Sequence, residues 1–273
     1  MQQQARNLWL VALCVLLLLL AASLYADKVY VPPQPPPKMI YTIKGPVVLY
    51  DDAAPGDLIT APNLGTIYYL NQDGKRVVFP DEQTFLSWYG DFGAVKTITQ
   101  ERLESFPLSG RNATIRPGTW LIKIQTAPEV YLIGFQKTLY ALSGEAQAIE
   151  LFGADWSKRV SDVPEYFFSN YDEGLPLAGA DVLPAGVVYR AQSNNQTYII
   201  TPEGQRAINA DGLSANHFAE RFIITLPEPL NRVFSGPTVT RFEPRLGSPD
   251  SLEQAADRGP ADLQTNGRTT EAG

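Results

Sequence analysis

The sequence predicts an α+β domain built from three diverged repeats of about 62–67 residues. Each is a small antiparallel β-hairpin or meander with one or two short helices, and one membrane helix precedes them all. Three observations carry this reading. A glycine opening a strand-like run recurs as Pro55-Gly56, Pro117-Gly118 and Pro184-Ala185-Gly186. Tyr68, Tyr131 and Tyr198 follow those glycines by 12, 13 and 12 residues. Trp88-Tyr89-Gly90 and Leu151-Phe152-Gly153 keep the offset of 63 that separates Tyr68 from Tyr131. One such match is chance; several in register are a repeat.

The chain divides accordingly. Residues 1–27 form a signal-anchor or signal peptide, since Leu8 to Tyr25 is an eighteen-residue run without a charge. Arg6 stands before it and Asp27-Lys28 after it, the order of a segment whose N-terminus stays in the cytoplasm. Its length lies between a signal-peptide core and a spanning helix, so an anchor and a cleaved signal both stay open. Residues 28–45 are a Pro-rich stalk: Val31 to Lys38 holds five prolines in eight residues, which favours extended polyproline II. Residues 46–112, 113–178 and 179–241 are repeats one, two and three, the third the most diverged. Residues 242–273 are poor in large apolar side chains and read as a disordered tail.

Within repeat one, Leu58-Ile59, Ile67 to Leu70 and Val77 to Phe79 are strand-like. Asn71-Gln72-Asp73-Gly74 carries the Asp-Gly hairpin signal. Asp81 is placed to cap a helix on which Phe85, Trp88, Tyr89 and Phe92 recur at helical spacing. A second helix is predicted at Gln100 to Phe106, and its counterpart at Pro164 to Ser169. Repeat three turns at Pro202-Glu203-Gly204, whereas repeat two has Phe135-Gln136-Lys137 at that place. Asp211 is read as the counterpart of the Asp81 cap. Each unit thus reads as strand–strand–strand–helix–helix, too small to bury its own core comfortably.

The segments GTIYYLNQDGKRVVFPDEQTFLSWYGDFGAVKTIT, RPGTWLIKI and LFGADWSKRVSDVPEYFFSNYDEG resemble a repeat module of secreted, S-layer-like or hypothetical surface proteins of small-genome candidate-phyla bacteria (Patescibacteria-type). The resemblance covers about Gly56 to Gly174, and repeat three only loosely. It implies an extracellular envelope module and transfers no catalytic residue.

Composition narrows the chemistry. With 29 acidic against 22 basic side chains, the chain lacks the basic footprint of a nucleic-acid binder. A single Cys and a single His rule out multi-Cys and multi-His metal sites, so neither metal nor cofactor is expected. His217, the one imidazole, is placed on the helix of repeat three without triad partners. Carboxylate pairs such as Glu82 with Asp91, or Asp155 with Glu165, could serve a glycosidase, and Asp51, Asp52 and Asp57 a Ca²⁺ site. Neither carries a supporting motif. The aromatic side chains Tyr69, Trp88, Tyr89, Trp120 and Trp156 are the candidate ligand-binding set, although their spacing equally suits a core.

The function expected from these readings is a non-enzymatic extracytoplasmic cell-envelope module. It would act in adhesion or surface assembly by binding an envelope glycan or a surface protein, held to the membrane by its N-terminal helix or secreted. A structural spacer without a ligand is the alternative, and a carboxylate-based glycosidase or cell-wall hydrolase the second.

Overall fold

The computed structural model describes residues 47–249. The expected membrane segment, the stalk and most of the tail lie outside these residues. Among the described residues, no helix is long and apolar enough to cross a membrane. The fold is α+β, with three small mixed sheets and a few short helices.

The first sheet is built from β1 (Leu58–Thr60), β2 (Tyr68–Leu70), β3 (Arg76–Val78), β4 (Val95–Thr97) and β5 (Leu108–Asn112), ordered β4-β1-β2-β3-β5. β1, β2 and β3 form the expected antiparallel meander, and Gly74 takes the left-handed turn position with φ 70°. The edge strands are the departure: β4 pairs parallel to β1 and β5 parallel to β3. The sheets are therefore mixed rather than antiparallel. Three-residue strands such as Val95–Thr97 carry no alternation long enough to announce themselves.

Helix α1 (Glu82–Trp88) connects β3 to β4, and α2 (Gln100–Ser105) connects β4 to β5. Asp81 caps α1, accepting from the Thr84 N–H at 2.6 Å, and Thr99 caps α2, accepting from the Arg102 N–H at 3.1 Å. Each cap answers one of the N–H groups that a helix start leaves unpaired.

The second sheet repeats the order. β6 (Leu121–Lys123), β7 (Tyr131–Ile133) and β8 (Thr138–Ala141) form the meander. β9 (Val160–Asp162) pairs parallel to β6, and β10 (Asp172–Glu173) parallel to β8. α3 (Glu145–Phe152) and α4 (Glu165–Phe168) lie where α1 and α2 do in the chain order. Loss of the Asp-Gly pair does not abolish the hairpin. Gln136 and Lys137 adopt φ 56° and 61°, the left-handed conformation that a two-residue turn demands.

In the third sheet the order is β14-β11-β12-β13, from β11 (Val188–Ala191), β12 (Thr197–Thr201), β13 (Gly204–Ala207) and β14 (Ile224–Leu226). The place of the second parallel edge strand is held by two isolated parallel bridges, Gln205 to Phe234 and Ile208 to Val239. α5 (Ala210–Ala215) follows the meander, capped by Asn209, whose side chain accepts from the Gly212 N–H at 2.8 Å. Asp211 is not the cap; it stands inside the first turn.

The C-terminal part of the described residues departs from expectation in two places. The tail from Glu243 is ordered at its start: α6 (Pro244–Gly247) forms, and Ser248 is buried with its Oγ 2.8 Å from the Tyr69 Oη. His217 lies beyond the C-cap of α5, not on the helix, with a left-handed φ of 57°.

Each sheet is covered on both faces, which explains strands such as β1 and β12 whose every residue is buried. Tyr69 and Phe79 pack on one face of the first sheet, Ile59, Leu70 and Ile98 on the other. Leu121 and Leu132 share a cluster with Tyr189, Ile200 and Ile224, so the second and third sheets have one core in common. Contacts close the set. Ser161 Oγ donates to Gln83 Oε1 at 2.7 Å, the Phe135 N–H to Ala185 O at 2.9 Å, and Arg221 Nη2 to Leu86 O at 3.1 Å. Each sheet unit thus touches both others.

The opening glycines do the same work in all three units. Gly56, Gly118 and Gly186 have φ of 100°, 74° and 99°, and their N–H groups donate to Leu70 O, Ile133 O and Ile200 O respectively. Gly118 and Gly186 also face each other: a Cβ on Gly118 would stand 2.6 Å from the Gly186 carbonyl oxygen. At Gly74, by contrast, a Cβ would meet nothing within 4 Å. Gly118→Ala is therefore expected to destabilise by about 2–4 kcal/mol, combining left-handed strain with overpacking, and Gly74→Ala by only about 1 kcal/mol. Urea denaturation of both variants checks the ordering.

Candidate functional site

The segment joining the first two units, Ala113 to Thr119, is buried at every residue. A buried connector must have its peptide groups answered. The Ala113 N–H donates to Val78 O at 2.8 Å, Ile115 N–H to Tyr171 Oη at 3.2 Å, and Arg116 N–H to Ser87 Oγ at 2.9 Å. Thr114 O accepts from Trp88 Nε1 at 2.8 Å. Arg159 Nη2 and Nε answer Gly118 O and Thr119 O at 2.7 and 2.5 Å.

Arg116 itself is 2% exposed. Its Nη1 donates to His217 O at 3.0 Å, and its Nη2 to Asn216 O at 2.9 Å and Leu246 O at 2.6 Å. The guanidinium lies over the Phe218 ring, 3.7 Å from its centroid, with the Trp88 ring at 5.0 Å. It forms no ion pair among the described residues. Burial pulls its pKa down to about 9, which still leaves it charged at neutral pH.

Arg116 forms part of the wall of a cleft of about 330 Å³ where the three units meet. Trp88 comes from unit one, Phe135 from unit two, and Phe218 with Thr201 from unit three. The other charges of the cleft are paired. Arg206 and Glu243 form a two-point contact at 2.6 and 2.8 Å, and Arg245 reaches Glu203 at 3.3 Å. The hydrogen bonds from Arg206 are the main reason the Glu243 carboxyl titrates below its ordinary range. At Glu203, burial pushes upward, but the residue's own N–H and Arg245 outweigh it and leave the carboxyl lowered. Both glutamates are held as carboxylates.

The five candidate aromatics are not gathered on one surface. Tyr69, Trp88 and Tyr89 are buried together in the core of unit one, at 2%, 1% and 8% exposure, because the aromatic face of α1 packs on the sheet. Trp120 is half-buried on the far face of the second sheet, edge-on to Phe222 at 5.3 Å. Trp156 is half-buried against the core shared by units two and three. Of the five, Trp88 alone lines the cleft.

The other candidates are likewise accounted for. Glu82, Asp91 and Glu165 are exposed, and Asp155 pairs with Lys158 at 2.8 Å. Lys96 Nζ bridges Asp57 at 3.0 Å and Asp52 at 3.4 Å, so two of the three candidate Ca²⁺ carboxylates are paired with an ammonium. Among the described residues no group of three or more His, Cys, Asp or Glu is placed to hold a metal ion. The exposed His217 ring leans on Tyr89, 5.1 Å between centroids. Partial burial and the Arg116 charge lower its pKa from the ordinary value.

Sequence reasoning missed Arg116, Arg206, Glu243, Glu203 and Arg245. One signal was present. The residue two before the opening glycine is Ala54 in unit one and Pro184 in unit three, and Arg116 in unit two. No protein-family model, curated protein or solved structure matches the chain. The cleft is the candidate on its own geometry.

Two outcomes follow from this arrangement. Arg116→Met strips donors from three backbone carbonyls and is expected to destabilise by about 3–5 kcal/mol, whereas Arg221→Met at an exposed position away from the cleft changes stability by about 0.5 kcal/mol or less. Chemical denaturation distinguishes them. A His pKa lowered on folding means that the unfolded chain binds more protons as pH falls through about 6.5. Stability from this group should therefore be full above that pH and decline as pH falls below about 6.5. His217→Asn, which tolerates the left-handed backbone, should flatten that decline in thermal melts.

Proposed function

We propose that this chain is a non-enzymatic, extracytoplasmic cell-envelope module that recognises its ligand in the cleft joining the three units. The three sheets are read as copies of one duplicated module, carried outside the cytoplasmic membrane behind the N-terminal apolar segment and the Pro-rich stalk. The resemblance of Gly56 to Gly174 to a surface-protein repeat supports that placement. The ligand is an envelope glycan or a surface protein, and the role is adhesion or surface assembly.

The observation that carries the reading is the cleft itself. At about 330 Å³ it has the size of a small-ligand site, with aromatic side chains and a few charges converging on it from all three units. The spacer reading leaves the open, aromatic-lined cleft without a use. Hydrolysis by paired carboxylates is less well supported, because Glu203 and Glu243 both titrate low. A general acid requires the reverse shift.

The test is saturable capture of the full chain on purified cell wall and on envelope glycan from its source organism. Phe135→Trp serves as the cleft-filling variant, with its fold checked by circular dichroism. Wild-type binding that this substitution lowers at least about tenfold, the effect of losing roughly 1.4 kcal/mol, is the expected result. Absence of binding, or binding indifferent to Phe135→Trp, would favour the spacer.

A further inference from the structure

The charge pattern of the cleft identifies the chemistry of its occupant, an inference that rests on the reading of the cleft as a binding site. Five ionisable side chains line it, and four of them cancel: Arg206 with Glu243, and Arg245 with Glu203. Arg116 is left over. Its three bonds to backbone carbonyls satisfy donors without supplying a negative charge. The cleft therefore carries one net positive charge within a chain whose formal net charge is −7. A cation taken out of water at an enclosed surface is stabilised chiefly by an opposite charge brought to it.

We infer that the cleft takes a small ligand bearing a single carboxylate, with that group directed at Arg116 and its body against Phe135 and Phe218. A carboxylate carries one negative charge and matches the one that the cleft leaves open. A phosphomonoester, with close to two, would keep an unmatched charge in a half-enclosed site. The aromatic side chains give the body an apolar surface to lie on. The volume suits one sugar residue or a dipeptide end, and nothing much larger. Either an acidic sugar of a glycan or the terminal carboxylate of a peptide presents this chemistry.

Matched pairs of probes on the full chain decide it, followed by ¹H–¹⁵N correlation spectra. One pair is D-glucuronate against D-glucose; the other is N-acetyl-alanyl-alanine against its C-terminal amide. One carboxylate should saturate the Phe135, Gly186 and Thr201 amide shifts, its neutral partner binding about tenfold or more weakly, the value of a charge-assisted hydrogen bond. Raised salt should weaken it. Arg245→Glu, at an exposed position needing no refolding control beyond a melt, should weaken it several-fold by reversing the rim charge. Phe135→Trp should abolish it. The pair that responds identifies the source of the carboxylate.

Equal binding of charged and neutral partners would overturn the carboxylate inference and leave the cleft as a binding site. The same holds if neither carboxylate saturates while capture on cell wall remains sensitive to Phe135→Trp. If that capture is also insensitive, the binding reading falls with it.

Discussion

The fold depends on one unusual constraint: a seven-residue connector runs through its interior as irregular backbone. Loops ordinarily stay at the surface because their peptide groups need water. Here Ala113 to Thr119 is buried throughout, and protein atoms take the place of water. Ser87, Trp88 and Tyr171 answer one stretch, Arg159 the other. These partners come from units one and two, and Arg116 extends the same network to unit three and to α6. Losing one member would strand a buried peptide group rather than merely a contact.

That constraint explains why the units are joined rather than strung. A chain of separate modules would meet through surface linkers and loosely packed interfaces. In this protein the linker is core, the second and third sheets share a hydrophobic cluster, and Phe135 packs against the core of unit one. Gly118 and Gly186 permit the approach, since each lies where a Cβ would strike the other's neighbourhood. The cleft lies at this junction, lined by side chains from all three units.

Much of the architecture was legible in the sequence, and what was hidden had physical reasons. The meanders were readable from Asp73-Gly74 and the tyrosine register, and the Asp81 cap from its position before an apolar helix face. The parallel edge strands were not, because β4, β9 and β14 are only three residues long, too short for any period to show. Asp211 misled because Asn209, two residues earlier, caps equally well. Glu243 to Ser248 misled because its composition is polar, yet its burial comes from docking on Arg116, Arg206 and Tyr69. The aromatic side chains showed where a core would form and hid the cleft. Its charged groups lie far apart in sequence, Arg116 from one linker and Arg206 with Glu243 from another unit, and no local pattern joins them.

The molecule contains its own comparison for Arg116. Arg159 also serves three backbone carbonyls, those of Gly118, Thr119 and Phe222, and also lies over aromatic rings, Phe152 and Phe222. Bonding to carbonyls is thus a job that this fold gives to arginine twice, and it accounts for both side chains as structural elements. The difference is in where each charge lies. Arg159 is half-buried and keeps access to solvent. Arg116 is almost wholly buried, at the wall of the cleft. Its charge is felt through the cleft, whose other charges have already found partners. An apolar side chain could not bond the carbonyls, and an arginine that bonds them in this position necessarily makes the cleft positive. The same side chain that holds the three units together thereby sets the polarity of the space between them.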